Sequence, residues 1–490
     1  MTTTPPPSVA RRWSLLVTVA TGLLLITLDN SILYTALPTL TAELGASASQ
    51  SLWIINAYPL VMAGLLLGAG SLGDRVGHRR LFLVGLTVFG LASLGAAFAP
   101  SPVALVAARA LLAVGAASMM PATLALIRLT FHDERERNLA VAVWGSIAVV
   151  GAALGPVVGG LLLSQFWWGS VFLVNVPVVA VALVGGVVLA PRDAPDPSTR
   201  WDLLSSVQVM VGLVGLVVAV KEVATVDRSA VVVLVALVVS AAGLVAFVRR
   251  QRRLTYPLLD VAIFANPRFS AGVVAAGAAL FTIAGVQLVT TQRFQLVEGL
   301  TPLEAGLLVA CLAVGTLPTA ALAGARGHRI GLLPLVSGGL AVAGVGALVC
   351  LAVADRGVLW LGGGLLLVGA GLGAVMALAS ATIINNAPAR RAGMASSVEE
   401  VSYELGSLTA VAVLGSLLTA VAGGSTGAAL TEAAPADVAT GFTAAVAVTA
   451  AVVLAGAVVT AVLLRRPAVP VDEAPRAGER APVGEDARRA

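Results

Sequence analysis

The chain has 490 residues, of which 58% are hydrophobic and 11% charged, and carries a formal net charge of +5. Those proportions lie outside the range of soluble domains and inside that of polytopic membrane proteins, which excludes a soluble enzyme. The positive charge is dispersed among short connections, so lipid headgroups rather than nucleic acid are its expected neighbours.

Apolar stretches long enough to cross about 30 Å of hydrocarbon fall at 13–37, 52–72, 80–99, 102–127, 138–164, 167–190, 203–222, 229–248, 268–290, 303–325, 330–353, 357–385, 393–421 and 438–464. Fourteen such segments predict an all-α membrane protein with both termini on one side. With the N-terminus (1–12) in the cytoplasm, 25 of the 30 basic residues lie on the cytoplasmic side, as the positive-inside rule requires. Lys221, Arg228, Arg293 and Arg356 then fall outside, and Arg109 lies within the membrane. The first segment is too long for a cleaved signal peptide and is expected to be retained. Cys311 and Cys350 sit in apolar segments and His78, His132 and His328 in polar connections, with no metal-ligand spacing and no disulfide framework. No cofactor is indicated.

Segment one carries Asp29 and Asn30 near its middle. An acid at that depth is costly, and it either hydrogen-bonds a neighbouring helix or belongs to a substrate or proton path, with a cationic or protonatable partner. Segments two and three are joined by Gly70-Ser-Leu-Gly73-Asp74-Arg75-Val-Gly77-His78-Arg79-Arg80. Gly73 and Gly77 permit a tight turn, and Asp74 can pair with an arginine or cap the next helix. Over eleven positions this loop resembles the signature of the major facilitator superfamily. The resemblance implies that Gly70, Gly73, Asp74, Arg75, Gly77, Arg79 and Arg80 form a cytoplasmic latch between two halves, closed in the outward-facing state. His78 stands where the family has arginine or lysine.

Arg109, in segment four, reads either as an arginine snorkelling to the outer interface or as a buried partner. Together with Gly115 it resembles the family's fourth helix, which implies that it assists proton transfer and holds Asp29 ionised. In segment five, glycines at four-residue spacing, Gly151, Gly155 and Gly159, with Pro156 and Gly160, make a flat and bent packing seam. This Gly-Pro-x-x-Gly-Gly core is similar to the antiporter motif of exporters in the superfamily. Trp167 and Trp168 open segment six as an aromatic belt.

Segments seven and eight carry no central charge and resemble the additional pair of the fourteen-helix subgroup. The connection Gly324–Arg329 echoes Gly73–Arg80, and Arg390-Arg391 echoes Arg135–Arg137, so segments nine to fourteen read as a second copy of one to six. The expected organisation is a six-helix bundle (13–190), an inserted pair (203–248), a second six-helix bundle (268–464) and a disordered cytoplasmic tail (465–490).

Segment thirteen breaks its apolar run with Glu399, Glu400 and Glu404. Three acids survive in such a helix only by facing water, a partner or a substrate. Glu400 and Glu404 share one face and form a coupled pair, whereas Glu399 points roughly 100° away. They are expected to approach the cavity of Asp29, or else to act in a latch without touching substrate. The run V-E-E-x-x-Y-E-L-G resembles the acidic helix of fourteen-helix drug:proton antiporters. That resemblance implies a monomeric, proton-driven exporter of small hydrophobic cations by alternating access, with a dedicated exporter of one antibiotic or metabolite as the alternative. An ATP-driven pump is disfavoured by the lack of a G-x-x-x-x-G-K-[ST] loop.

Overall fold

The structure, a computed structural model, describes residues 8–193, 195–196, 201–223, 229–254, 257–387, 392–422 and 434–467. Arg200, Arg228, Arg390 and Arg391 and the tail from 468 onward lie outside the described residues. Fourteen helical elements follow one another: α1 (Val9–Leu44), α2 (Ala48–Val76), α3 (His78–Ala97), α4 (Pro102–Thr130), α5 (Glu134–Gln165), α6 (Ser170–Leu173 and Asn175–Leu189), α7 (Leu203–Val223), α8 (Ala230–Gln251), α9 (Pro267–Leu296), α10 (Pro302–Ile330), α11 (Leu332–Ala352), α12 (Val358–Asn385), α13 (Ala392–Ala410, a π turn at Val411–Gly415, then Ser416–Ala422) and α14 (Pro435–Arg465). Each is long and apolar enough to cross a bilayer.

Most of them outrun the apolar stretches because polar caps close the ends. Ser47 with Gln50 and Thr301 with Glu304 form reciprocal capping boxes at the starts of α2 and α10. Two basic residues expected in outer connections lie inside helices instead. Lys221 is buried in the last turn of α7, where its ammonium donates to the Ser49 carbonyl at 2.7 Å and lies 4.7 Å from the Trp53 ring. Arg293, in the last turn of α9, is buried and donates to Asp355 at 2.8 Å. Long stems let both bury their methylenes while the charged heads find partners.

The packing repeats itself. α5 packs on α1 and α10, while α13 packs on α9 and α2; α4 lies on α2 and α3, as α12 lies on α10 and α11. Helices α9–α14 therefore reproduce α1–α6 about a pseudo-two-fold axis, giving two six-helix bundles. α7 and α8 pack on each other, and α7 packs on α2.

Both described chain ends lie on what we call the terminal face, and the α1–α2 turn lies on the opposite, distal face. The halves are closed at the distal side. There a Cβ on Gly160 would strike the Leu303 backbone, and one on Gly306 would strike the Pro156 carbonyl. Three hydrogen bonds also join the halves here: Thr291 to the Tyr34 carbonyl at 2.9 Å, Gln295 to the Thr35 carbonyl at 2.9 Å, and Tyr34 with Ser407 at 3.1 Å. Gly145 on α5 and Gly324 on α10, nearer the terminal face, have nothing among the described residues within 4 Å of where a side chain would start.

Candidate substrate and proton site

Asp29 and Arg109 are ion-paired in the interior of the N-terminal half, at 2% and 0% exposure. Every element around them contributes. Arg109 also donates from Nε to the Ile54 carbonyl at 3.2 Å and from Nη2 to Asn30 at 3.3 Å, and its guanidinium lies 4.7 Å from the centre of the Tyr58 ring. Asn175 of α6 donates to the second Asp29 oxygen at 2.9 Å and is itself 3.2 Å from Ser93 of α3. The pair is thus held by α1, α2, α3, α4 and α6. Removing either partner would strand a desolvated charge, which costs several kcal/mol. Of the two readings for Arg109, the structure has the buried partner.

The glutamates of α13 divide as their helical phase requires. Glu399 is buried and turned toward α12, and its carboxylate accepts from Ser380 of α12 and from Tyr403 one turn on in α13, each at 3.1 Å. Glu400 and Glu404, four residues apart, share the other face of the helix. One Glu404 oxygen, Oε2, is buried without a hydrogen-bond partner.

Depth brings the two groups together. α1 and α13 run in the same direction and are cross-linked by the Tyr34–Ser407 bond. Asp29 lies about 7.5 Å back along α1 from Tyr34, and Glu404 about 4.5 Å back along α13 from Ser407, at a rise of 1.5 Å per residue. The acids of the two halves therefore stand within about 3 Å of the same level. Asp29 itself is buried, with Arg109 and Asn175 on its two oxygens.

The 70–80 loop has different partners from those expected. Asp74 pairs with His78 at 3.1 Å rather than with an arginine. The start of α3 is capped not by Asp74 but by Asp193, from the α6–α7 connection, which accepts from the Arg79 and Arg80 backbone N–H groups at 2.8 and 3.1 Å. Gly77, with φ at 102°, has no room for a side chain because Asp193 occupies that space. Arg79 donates to the Val187 carbonyl at 2.6 Å, while Gly70 has open space around it and Arg75 is exposed. These bonds hold the loop to α6 and to the α6–α7 connection, on the terminal face. In α5, Gly151 and Gly155 press against Thr27 and Ser31 of α1, and Pro156, Gly159 and Gly160 complete the same close seam, Gly160 against α10.

Sequence reasoning singled out the charged members of the site and passed over its neutral ones. Asn175, Tyr58, Ser380 and the Tyr34–Ser407 bridge were not anticipated as parts of it. Asn175 had a signal, since an amide inside Val-Phe-Leu-Val-Asn-Val-Pro must find a buried partner. Tyr58 had none beyond its presence in an apolar run.

Two pseudo-symmetric six-helix halves with an inserted pair and ionisable groups at matched depth define the architecture of a membrane transporter. The comparisons agree. Residues 19–398 and 269–489 match the family model of the Major Facilitator Superfamily, and the chain belongs to that family. The multidrug efflux pump LfrA of Mycolicibacterium smegmatis is 39% identical over 414 residues, covering 84% of this chain and 81% of that protein. The methyl viologen resistance protein SmvA of Salmonella typhimurium is 38% identical over 411 residues, covering 84% and 83%. The tetracenomycin C resistance and export protein of Streptomyces glaucescens is 33% identical over 422 residues, covering 84% and 77%. Among solved structures, an inward-facing bacterial homologue of the human lysosomal transporter Spinster superposes with a TM-score of 0.65 at 17% identity, covering 94% of this chain and 98% of that one. The protein is a multi-pass membrane protein of a transporter family.

Proposed function

We propose that the chain exports small hydrophobic cations in exchange for protons, with both termini in the cytoplasm and the two halves, 13–190 and 268–464, rocking about a shared central site. The observation that carries this reading is the matched depth of Asp29–Arg109 in one half and Glu404 in the other. Glu404, with an unpaired buried oxygen beside Glu400, offers a cation or a proton an acceptor. Asp29 exchanges its Arg109 partner for a proton. Competition between substrate and proton for one set of acids supplies the coupling, and no cofactor is required. The drug-efflux names of the relatives support the substrate class, and the monomer contains the whole site.

Each proton moving inward down a 100 mV potential contributes about 2.3 kcal/mol. With a monovalent cation, one proton per cycle makes the exchange electroneutral and leaves only the pH gradient to drive it. Two protons add the voltage.

The test is ethidium efflux from energised vesicles with a pH gradient imposed and then collapsed by an ionophore. Efflux that stops on collapse supports the reading, and efflux that persists contradicts it. A second reading, a dedicated exporter of one antibiotic or metabolite, draws on the likeness to the tetracenomycin C exporter. It gains ground if ethidium is not moved while an uncharged or anionic metabolite is.

A further inference from the structure

The pseudo-two-fold axis relates two seams between the halves, α2–α13 and α10–α5, yet the molecule treats them differently. Among their described residues, α2 and α13 leave no large apolar side chain exposed, whereas α5 exposes Leu139, Leu154 and Leu161 and α10 exposes Leu307, Val314 and Leu322. The inserted pair causes the difference. Val209, Leu213 and Val217 of α7 pack with Leu60, Ala63 and Leu67 of α2 and with Leu408 of α13, so α7 lies across that seam. Met210 fills the space over Gly64, and Trp201 and Ser206 stand over Gly68. At the distal end, Lys221 is bolted to the Ser49 carbonyl and the Trp53 ring. At the terminal end, the Asp196 backbone N–H donates to the Asp74 carbonyl at 2.9 Å.

Among the described residues, neither inserted helix packs extensively on α5 or α10. Their mutual faces approach most closely at Pro156, Gly160 and Gly306, on the distal side. Gly145 lies within about 20° of the Pro156 face of α5, and Gly324 lies on the Gly306 face of α10, at 100° per residue. Among the described residues, nothing lies within 4 Å of where a side chain would start at either position.

We propose that the inserted pair makes the transporter one-sided, so that a bilayer-dissolved hydrophobic cation reaches the central acids between the terminal-side halves of α5 and α10, while the α2–α13 seam is closed to lipid. This rests on the export reading above and specifies its route. A lateral path selects amphiphiles that partition into the leaflet, while water-soluble cations pass through the open terminal face.

The test uses the full chain in proteoliposomes with two probes, the lipid-soluble tetraphenylphosphonium and the water-soluble methyl viologen. Gly145→Trp combined with Gly324→Trp narrows the seam and is expected to lose tetraphenylphosphonium efflux while keeping that of methyl viologen. Unchanged efflux of tetraphenylphosphonium, or equal loss of both, overturns the route. An unaltered protein that moves neither cation defeats the export reading instead, and labelling then decides the seam by itself. With Cys311 and Cys350 replaced by serine, a bilayer-dissolved maleimide is expected to react with Gly145→Cys and Gly324→Cys but not with Ala63→Cys or Val401→Cys. Equal reaction at all four positions contradicts the closed α2–α13 seam.

Discussion

Tyr34 of α1 and Ser407 of α13 share a buried hydrogen bond of 3.1 Å between the two halves, one turn beyond Glu404 and little more than one turn beyond Asp29. The bond sets the relative depth of the two acids. It also belongs to the closed distal side, so it must break when that side opens. Tyr34→Phe removes one hydrogen bond, a loss of about 1 kcal/mol from the distal-closed state. A spin-label distance across the distal rim is expected to show a larger open population in this variant, and an unchanged distribution would contradict that role.

The Asp29–Arg109 pair is desolvated, so single and double replacements should differ in stability. Arg109→Leu leaves a buried carboxylate without its counter-ion and is expected to destabilise the protein by about 3–5 kcal/mol. Asp29→Leu combined with Arg109→Leu removes both charges and should recover most of that loss. Thermal unfolding in detergent distinguishes the two, and a double variant no more stable than the single would show that the pair is not the cause.

Glu399 and Glu404 should respond unequally to loss of charge. Glu399→Gln keeps an acceptor oxygen for one of the two hydroxyls and offers an N–H donor to the other, so cation efflux should fall only slightly. Glu404→Gln neutralises the carboxylate whose Oε2 is buried without a partner and is expected to abolish export of divalent cations. Equal sensitivity in an efflux assay would return Glu399 to the transport site.

Asp193 caps α3 from a distance of more than a hundred residues. Asp193→Ala should destabilise the start of α3 by about 1 kcal/mol, the usual worth of an N-cap, and raise hydrogen exchange at the Arg79 and Arg80 amides. Exchange unchanged at those two positions would mean that the cap carries no weight.

Outside the membrane, burial pushes the Asp202 carboxyl up, but hydrogen bonds from Arg250 and Ser205 outweigh it and hold the group below its ordinary value of 3.8. Because the folded value is the lower one, the stability from this pair is complete above the ordinary value and fades as pH falls through the folded one. Asp202→Asn should therefore weaken the α7–α8 contact at neutral pH and make no difference in strong acid. A stability loss that persists in strong acid would contradict this.

Much of this architecture was legible in the sequence because a bilayer allows few solutions. Apolar length fixes the spans, arginine asymmetry pairs them, and an ionisable residue in hydrocarbon declares itself, as Asp29, Arg109 and the α13 glutamates do. What stayed hidden depends on which faces meet. Lys221 and Arg293 read as outer-loop charges because their burial comes from Trp53 and Ser49 in one case and Asp355 in the other, residues far away in the chain. Asp193 carries no local mark of capping a helix it does not belong to. The covered α2–α13 seam follows from where α7 lies, which its uniformly apolar sequence leaves open.

The central claim is that acids in both halves release protons as a cation binds. Purified protein in weakly buffered detergent, mixed with tetraphenylphosphonium, reports this as a pH change. The account predicts proton release by the unaltered protein and less of it from both Asp29→Asn and Glu404→Gln. Binding without proton release, or release unaffected by either substitution, would contradict it.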